Sequence, residues 1–111
     1  MKYKTRIIKI KAKELVSFTE KSVGLILSKN IESVYFETKF GIHTFFMRKP
    51  IDVIVMDKNF MVRVIKKVLK PWKVFVWNPK YCRILEMSVN SVDKNKIKKG
   101  DKIKILKTNN S

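Results

Sequence analysis

Three residues of this 111-residue chain carry chemistry in surroundings that do not usually hold it: His43, Asp52 and Glu86. His43, the only histidine, lies in Gly41-Ile-His-Thr-Phe-Phe-Met-Arg48, and its imidazole can act as base, acid, metal ligand or hydrogen-bond anchor near neutral pH. Asp52 stands between Ile51 and Val53, and Glu86 within Ile84-Leu85-Glu86-Met87. A carboxylate among apolar neighbours is costly unless paired, so Asp52 should bond to backbone amides, to Arg48 or Lys49, or to His43. Should the three converge, they line a polar pocket, or a hydrolytic site in which His43 works with Asp52 or Glu86. Should each be satisfied where it stands, they are fold anchors, the reading preferred here because structural ion pairs also perturb titration.

No catalytic apparatus accompanies them. The chain has no Gly-rich phosphate loop, nucleophile elbow, paired-cysteine motif or histidine-rich metal motif, and a lone histidine in an apolar strand is more often a satisfied structural donor. Catalytic residues, metal ligands and cofactors are therefore left unassigned. The candidate ligand site comprises His43, Met47, Arg48, Asp52 and Glu86, with Trp72 near its mouth, since polar groups clustered amid apolar strands give small-molecule pockets their specificity. Phe45 and Phe46 read as core, whereas Trp72 follows Pro71 in a break between strands and is the aromatic placed at a rim, where bases or sugars could stack. Cys82 reads as a small packing residue.

The elements that must position these residues follow from alternation and punctuation. Successive side chains of a strand point to opposite faces, so His43, Phe45 and Met47 share one face while Ile42, Thr44 and Phe46 share the other. Both faces are mostly apolar, which predicts a strand covered on both sides. Pro50 interrupts the ladder, and Ile51 to Met56 resumes it. The Asp57-Lys58-Asn59 turn then leads into Phe60 to Leu69, an antiparallel hairpin with the preceding run. Further strands are expected at Lys2 to Lys11, Ser33 to Glu37, Tyr81 to Met87 and Lys102 to Leu106, with a short apolar run at Val74 to Trp77. Ser17-Phe-Thr-Glu20 fits a capping box opening one short helix, and Ser91 can cap a second over Val92 to Asn95.

The motif His43-Thr-Phe-Phe-Met-Arg48, followed by Pro50-Ile-Asp-Val53 and Asp57, resembles the signature of the family called domain of unknown function 192. The resemblance extends to Gly24-Leu25, Leu69-Lys-Pro-Trp-Lys73, Ile84-Leu-Glu-Met87 and Ile97-Lys-Lys-Gly-Asp101, in order, and is strongest to the short archaeal and thermophile-type members. It implies a compact, β-rich, barrel-like fold and no assigned function. Asn90 and Lys96 stand where the family pattern leads one to expect glycine; with positive φ, asparagine tolerates the position and lysine is strained.

Composition bounds the rest. A chain of this length, 45% hydrophobic, buries roughly 65% of its unfolded surface without staples. A single cysteine excludes an intrachain disulfide and fits a reducing cytosol, and no apolar run reaches bilayer length. The net charge of +17 attracts polyanions. Yet 22 of the 26 basic residues are lysine, whereas arginine is preferred for bidentate phosphate and guanine contacts. A lysine-coated surface with weak, non-specific affinity for nucleic acid is the expectation. The sequence thus predicts a single domain over residues 1–111, mainly β (α+β), a barrel-like antiparallel sheet with two short helices. It is expected to be cytoplasmic and non-catalytic, to bind a small molecule, and to have no membrane partner.

Overall fold

The computed structural model describes residues 5–14, 33–39, 41–44 and 47–108. Alternating and continuous apolar runs form eight strands: β1 (Ile7–Glu14), β2 (Ser33–Glu37), β3 (Ile42–His43), β4 (Ile51–Met56), β5 (Val62–Leu69), β6 (Val74–Phe75), β7 (Arg83–Ser88) and β8 (Lys102–Lys107). The helix among the described residues is α1 (Ser91–Lys94). Six strands make one sheet in the order β5-β4-β7-β2-β1-β8, and β3 pairs with β6 in a separate two-stranded ribbon.

β4 sits inside the large sheet, and all six of its residues are buried. Its pleat feeds two cores. Ile54 and Met56 join Leu85, Met87 and Tyr35 on one face, while Ile51, Val53 and Val55 join Val34, Phe36 and Ile84 on the other. Phe75 and Trp77 pack on the second core from the β3–β6 ribbon. Burial on both faces explains why this strand is a continuous apolar run and not an alternating one.

Three features of the expected architecture are corrected. The sheet is mixed, because β1 runs parallel to both β2 and β8, a pairing that side-chain alternation does not encode. It does not close into a barrel: its edge strands meet only at the Met61–Lys102 bridge, flanked by Val62 N–H to Asp101 O at 2.8 Å and Ile103 N–H to Phe60 O at 2.9 Å. Beyond Ile103 the partner strand has already turned at Asp57–Phe60, so β8 runs on with nothing to pair with on that side. Finally, one short helix is present among the described residues; the one expected after Ser17 lies outside them.

Local chemistry departs from expectation at two more points. Ser91 does not cap α1. Asn90 occupies the cap position with φ 74° and makes no side-chain cap bond, and the Val92 amide instead donates to Asp52 Oδ2 at 3.0 Å. Phe45 and Phe46, expected in the core, lie outside the described residues. Among the described residues the strand expected through Met47 ends at His43, because buried Thr44 is committed elsewhere. Its N–H donates to Lys73 O at 2.8 Å, its hydroxyl donates to Lys70 O at 2.7 Å, and Lys73 N–H donates to that hydroxyl at 2.8 Å. Gly41 allows the ribbon to form: its φ is 119°, and a Cβ there would lie 2.6 Å from Phe75 O.

Candidate functional site

The structure separates the residues of the expected site. His43 is exposed on β3, Arg48 is exposed, Met47 is buried in the second core, and Trp72 is 59% exposed. Asp52 and Glu86 are both buried but face opposite ways, because Asp52 lies opposite Met87 while Glu86 lies opposite Val53. The constellation of His43 with either carboxylate is not assembled.

Asp52 is an anchor held by backbone amides, one of the pairings its apolar flanks predict. The β4–β5 register shifts between Ile51 and Val53, and this bulge leaves the amide of Val68, at φ 53°, without a ladder partner. Asp52 Oδ1 accepts that amide at 3.0 Å while Oδ2 accepts Val92. One carboxylate therefore ties β4, the β5 bulge and the start of α1. Glu86 is different: it is 3% exposed between Val34 and Val53, and its Oε1 has no hydrogen-bond partner. Burial pushes its carboxyl up to about 8, so it is protonated at neutral pH.

A cavity of about 540 Å³ opens where the sheet fails to close. Ile103, Ile105 and Phe60 supply apolar wall, and Tyr35, Glu37 and Arg83 converge on it from β2 and β7. Their convergence follows from register, since Glu37 lies opposite Arg83 and Tyr35 opposite Leu85 on the same face. Arg83 Nη1 donates to Tyr35 Oη at 2.7 Å and to Glu37 Oε2 at 2.8 Å, and Tyr35 Oη donates to Glu37 Oε2 at 3.1 Å. The guanidinium also lies 4.3 Å from the centroid of the Phe60 ring, a cation–π geometry. Burial pushes the Tyr35 phenol up to about 12 against the opposing pull of Arg83. Tyr35 is therefore a hydrogen-bonding group at neutral pH and not a base.

Phe60 holds its ring in the cavity wall at φ 64°, a conformation costing an aromatic residue about 1–3 kcal/mol. The turn before it enforces this. Asp57 O accepts the Phe60 amide at 2.9 Å, and Asp57 Oδ1 accepts the amides of Asn59 and Met61. Sequence reasoning found the turn but not the role of Phe60, nor the meeting of Tyr35, Glu37 and Arg83. The available signal was their common alternation face on β2 and β7. Among the described residues no cluster of His, Cys, Asp or Glu could hold a metal ion.

The family model described as Uncharacterized ACR, the domain of unknown function 192, matches residues 2–105. A UPF0127 protein of Pyrococcus horikoshii is 36% identical over 94 residues, covering 79% of this chain and 81% of that protein. Two solved structures share the fold. One is a protein of unknown function from Novosphingobium aromaticivorans (TM-score 0.70, 18% identity, 82% of this chain and 71% of that one). The other is a protein from Sinorhizobium meliloti (TM-score 0.66, 14% identity, 82% and 78%). By fold this is a small β-rich domain with a mixed, open sheet. The chain belongs to the family of domain of unknown function 192.

Proposed function

We propose that the protein is a non-catalytic small-ligand-binding domain, working in a reducing cytosol, whose site is the seam cavity beside Phe60. The ligand has an apolar, planar body and one anionic group. The observation that carries this reading is the cavity's make-up: about 540 Å³ of apolar wall with Tyr35 and Arg83 converging on it and Lys102 and Lys104 at its lining. Ligand pockets are typically about 300–1,000 Å³, mostly apolar, with a few placed polar groups. Glu37 and Glu14 are matched by Arg83 and Lys107 in ion pairs at 2.8 and 2.7 Å, so the charge left over at the cavity is positive.

An arylsulfonate dye and a panel of aromatic carboxylates are the probes. Binding is expected in the micromolar range, and Ile105→Trp, which narrows the cavity, should weaken it by about tenfold or more while the thermal midpoint is kept. Lys70→Glu, exposed beyond the far end of β5 from Phe60 and absent from the cavity lining, should leave it unchanged. Equal affinity in wild type and Ile105→Trp would place the ligand elsewhere.

A second reading, a non-specific nucleic-acid-binding surface, has one observation in its favour. Exposed Lys9 and Lys11 on β1 adjoin exposed Lys102 and Lys104 on β8, with Lys9 opposite Lys104. None of the four makes an ion pair among the described residues. A phosphate backbone laid on this face releases counterions, with a log–log salt slope of about 0.9 per phosphate neutralised. Titration of unrelated duplexes should therefore give weak binding at low salt, lost at physiological salt and indifferent to sequence. Tight, sequence-selective binding at physiological salt would make this the primary function instead.

A further inference from the structure

Trp72, Val74 and Val76 are 59, 64 and 64% exposed, and Lys73 is exposed between the first two, while Phe75 and Trp77, alternating with the valines, pack inward on the second core. Val74 lies opposite His43 across the β3–β6 ribbon, so the outward side of that ribbon is an apolar stripe with one imidazole beside it. Exposed aromatic and aliphatic residues gathered on one face mark interaction sites more often than scattered ones do.

The fold holds this stripe out. Trp72 has φ 62°, a left-handed conformation that a bulky residue adopts only when its surroundings over-determine it. Thr44 over-determines it: Thr44 O accepts the Trp72 amide at 2.9 Å, and the Thr44 hydroxyl and amide clamp Lys70 and Lys73 on either side. The same Thr44 O accepts the Met47 amide at 3.2 Å, bringing the Arg48-Lys49 turn alongside. The rim is thus Arg48, Lys49, Lys70 and Lys73, all exposed. The sequence from residue 58 to residue 85 contains no aspartate or glutamate, and neither does that from 38 to 51.

We propose that the outward face of the β3–β6 ribbon docks peripherally on an anionic phospholipid bilayer, with Trp72, Val74 and Val76 entering the headgroup boundary and the four cations meeting lipid phosphates. A tryptophan suits that boundary because its body is apolar and its N–H is polar. Lysine and arginine stems cover apolar surface while their heads stay at the charged layer. Two exposed valines add area to lipid but cannot stack on a nucleobase, which favours the bilayer over a single strand. The absence of any helix long and apolar enough to cross a membrane, among the described residues, bears on spanning and not on this contact.

The test is co-sedimentation at physiological salt with vesicles of phosphatidylcholine alone and of phosphatidylcholine with about one-third phosphatidylserine. Tryptophan emission is followed alongside. Binding to the anionic vesicles with a blue shift is expected. Trp72→Gly, which the left-handed backbone accepts, should keep the fold, lose the blue shift and weaken binding by about tenfold or more. A Val74→Ser, Val76→Ser double variant should weaken it in the same direction. Equal vesicle binding by wild type and Trp72→Gly would reduce the effect to bulk charge and overturn the proposal. So would failure to bind anionic vesicles, or an oligothymidylate that quenches Trp72 and displaces the protein from them.

Discussion

Asp52→Ala will lower the stability of the fold by about 3 kcal/mol, because a buried amide, that of Val92, and a part-buried one, that of Val68, lose their acceptor together. Val68 N–H and Val92 N–H each donate to one carboxylate oxygen at 3.0 Å, and Asp52 is 1% exposed, so water does not readily replace it. Each buried donor left unmade costs about 1–3 kcal/mol. The loss will also release the β5 bulge and the start of α1, since no side-chain cap bond holds that helix end. Asp52→Asn should recover only part of the loss: its carbonyl can accept one amide, but its NH₂ faces the other. Thermal unfolding reads the result, expected as a midpoint about 10 °C or more below wild type. An unchanged midpoint in Asp52→Ala would mean that the two amides find other partners and that Asp52 is not an anchor.

Glu86→Gln will remove a pH dependence the wild type carries, sparing the variant the loss of about 3 kcal/mol that ionisation of the unfolded chain costs the wild type by pH 7. Burial alone lifts the Glu86 carboxyl from an ordinary value of 4.5 to about 8. Its cross-strand neighbours are Val34 and Val53, and neither offers a charge or a donor. Between those two pH values the folded chain keeps the proton that the unfolded chain has released. Protonation therefore favours the folded state fully below about pH 4.5, and that advantage drains away as pH rises towards about 8. Asp101 runs the other way: the hydrogen bond from Arg6 holds its carboxyl below the usual range, and its contribution is lost only as pH falls through that lower range. Denaturant unfolding of wild type and Glu86→Gln from pH 5 to 9 isolates the Glu86 contribution, because the other groups cancel in the difference. A difference that stays flat across this range would show that Glu86 titrates as an ordinary carboxylate.

Much of the strand framework was legible in the sequence, and the reason is local. The continuous run Ile51 to Met56 and the Asp57-Lys58-Asn59 turn define the β4–β5 hairpin, and Asp52 announced itself by its apolar flanks. Asn90 and Lys96, read against the glycine expected there, do have φ 74° and 54°. What was not legible depends on pairing. A one-residue offset between β4 and β7 decides whether Asp52 and Glu86 share a face, and no feature of either strand states that offset. Likewise the parallel placement of β1 between β2 and β8 is a property of chain crossing and not of alternation. Phe60, Val68 and Trp72 hold left-handed backbones that non-glycine residues rarely adopt. Each is fixed by a hydrogen bond from elsewhere, to Asp57, Asp52 and Thr44 respectively, so the residue type alone gave no warning. The cavity inherits this opacity: it exists because β8 outruns its partner at Phe60, and its polar groups meet through the β2–β7 register.

Titrating an arylsulfonate into isotopically labelled protein, with its isoleucine methyl resonances followed by NMR, tests the seam cavity as a ligand site most directly. Saturable shifts at Ile103 and Ile105 are expected, with Ile42 and Ile84, on the opposite core, unmoved. Shifts centred on Ile42 or Ile84, or no saturable shift at Ile103 and Ile105 at millimolar ligand, would contradict it.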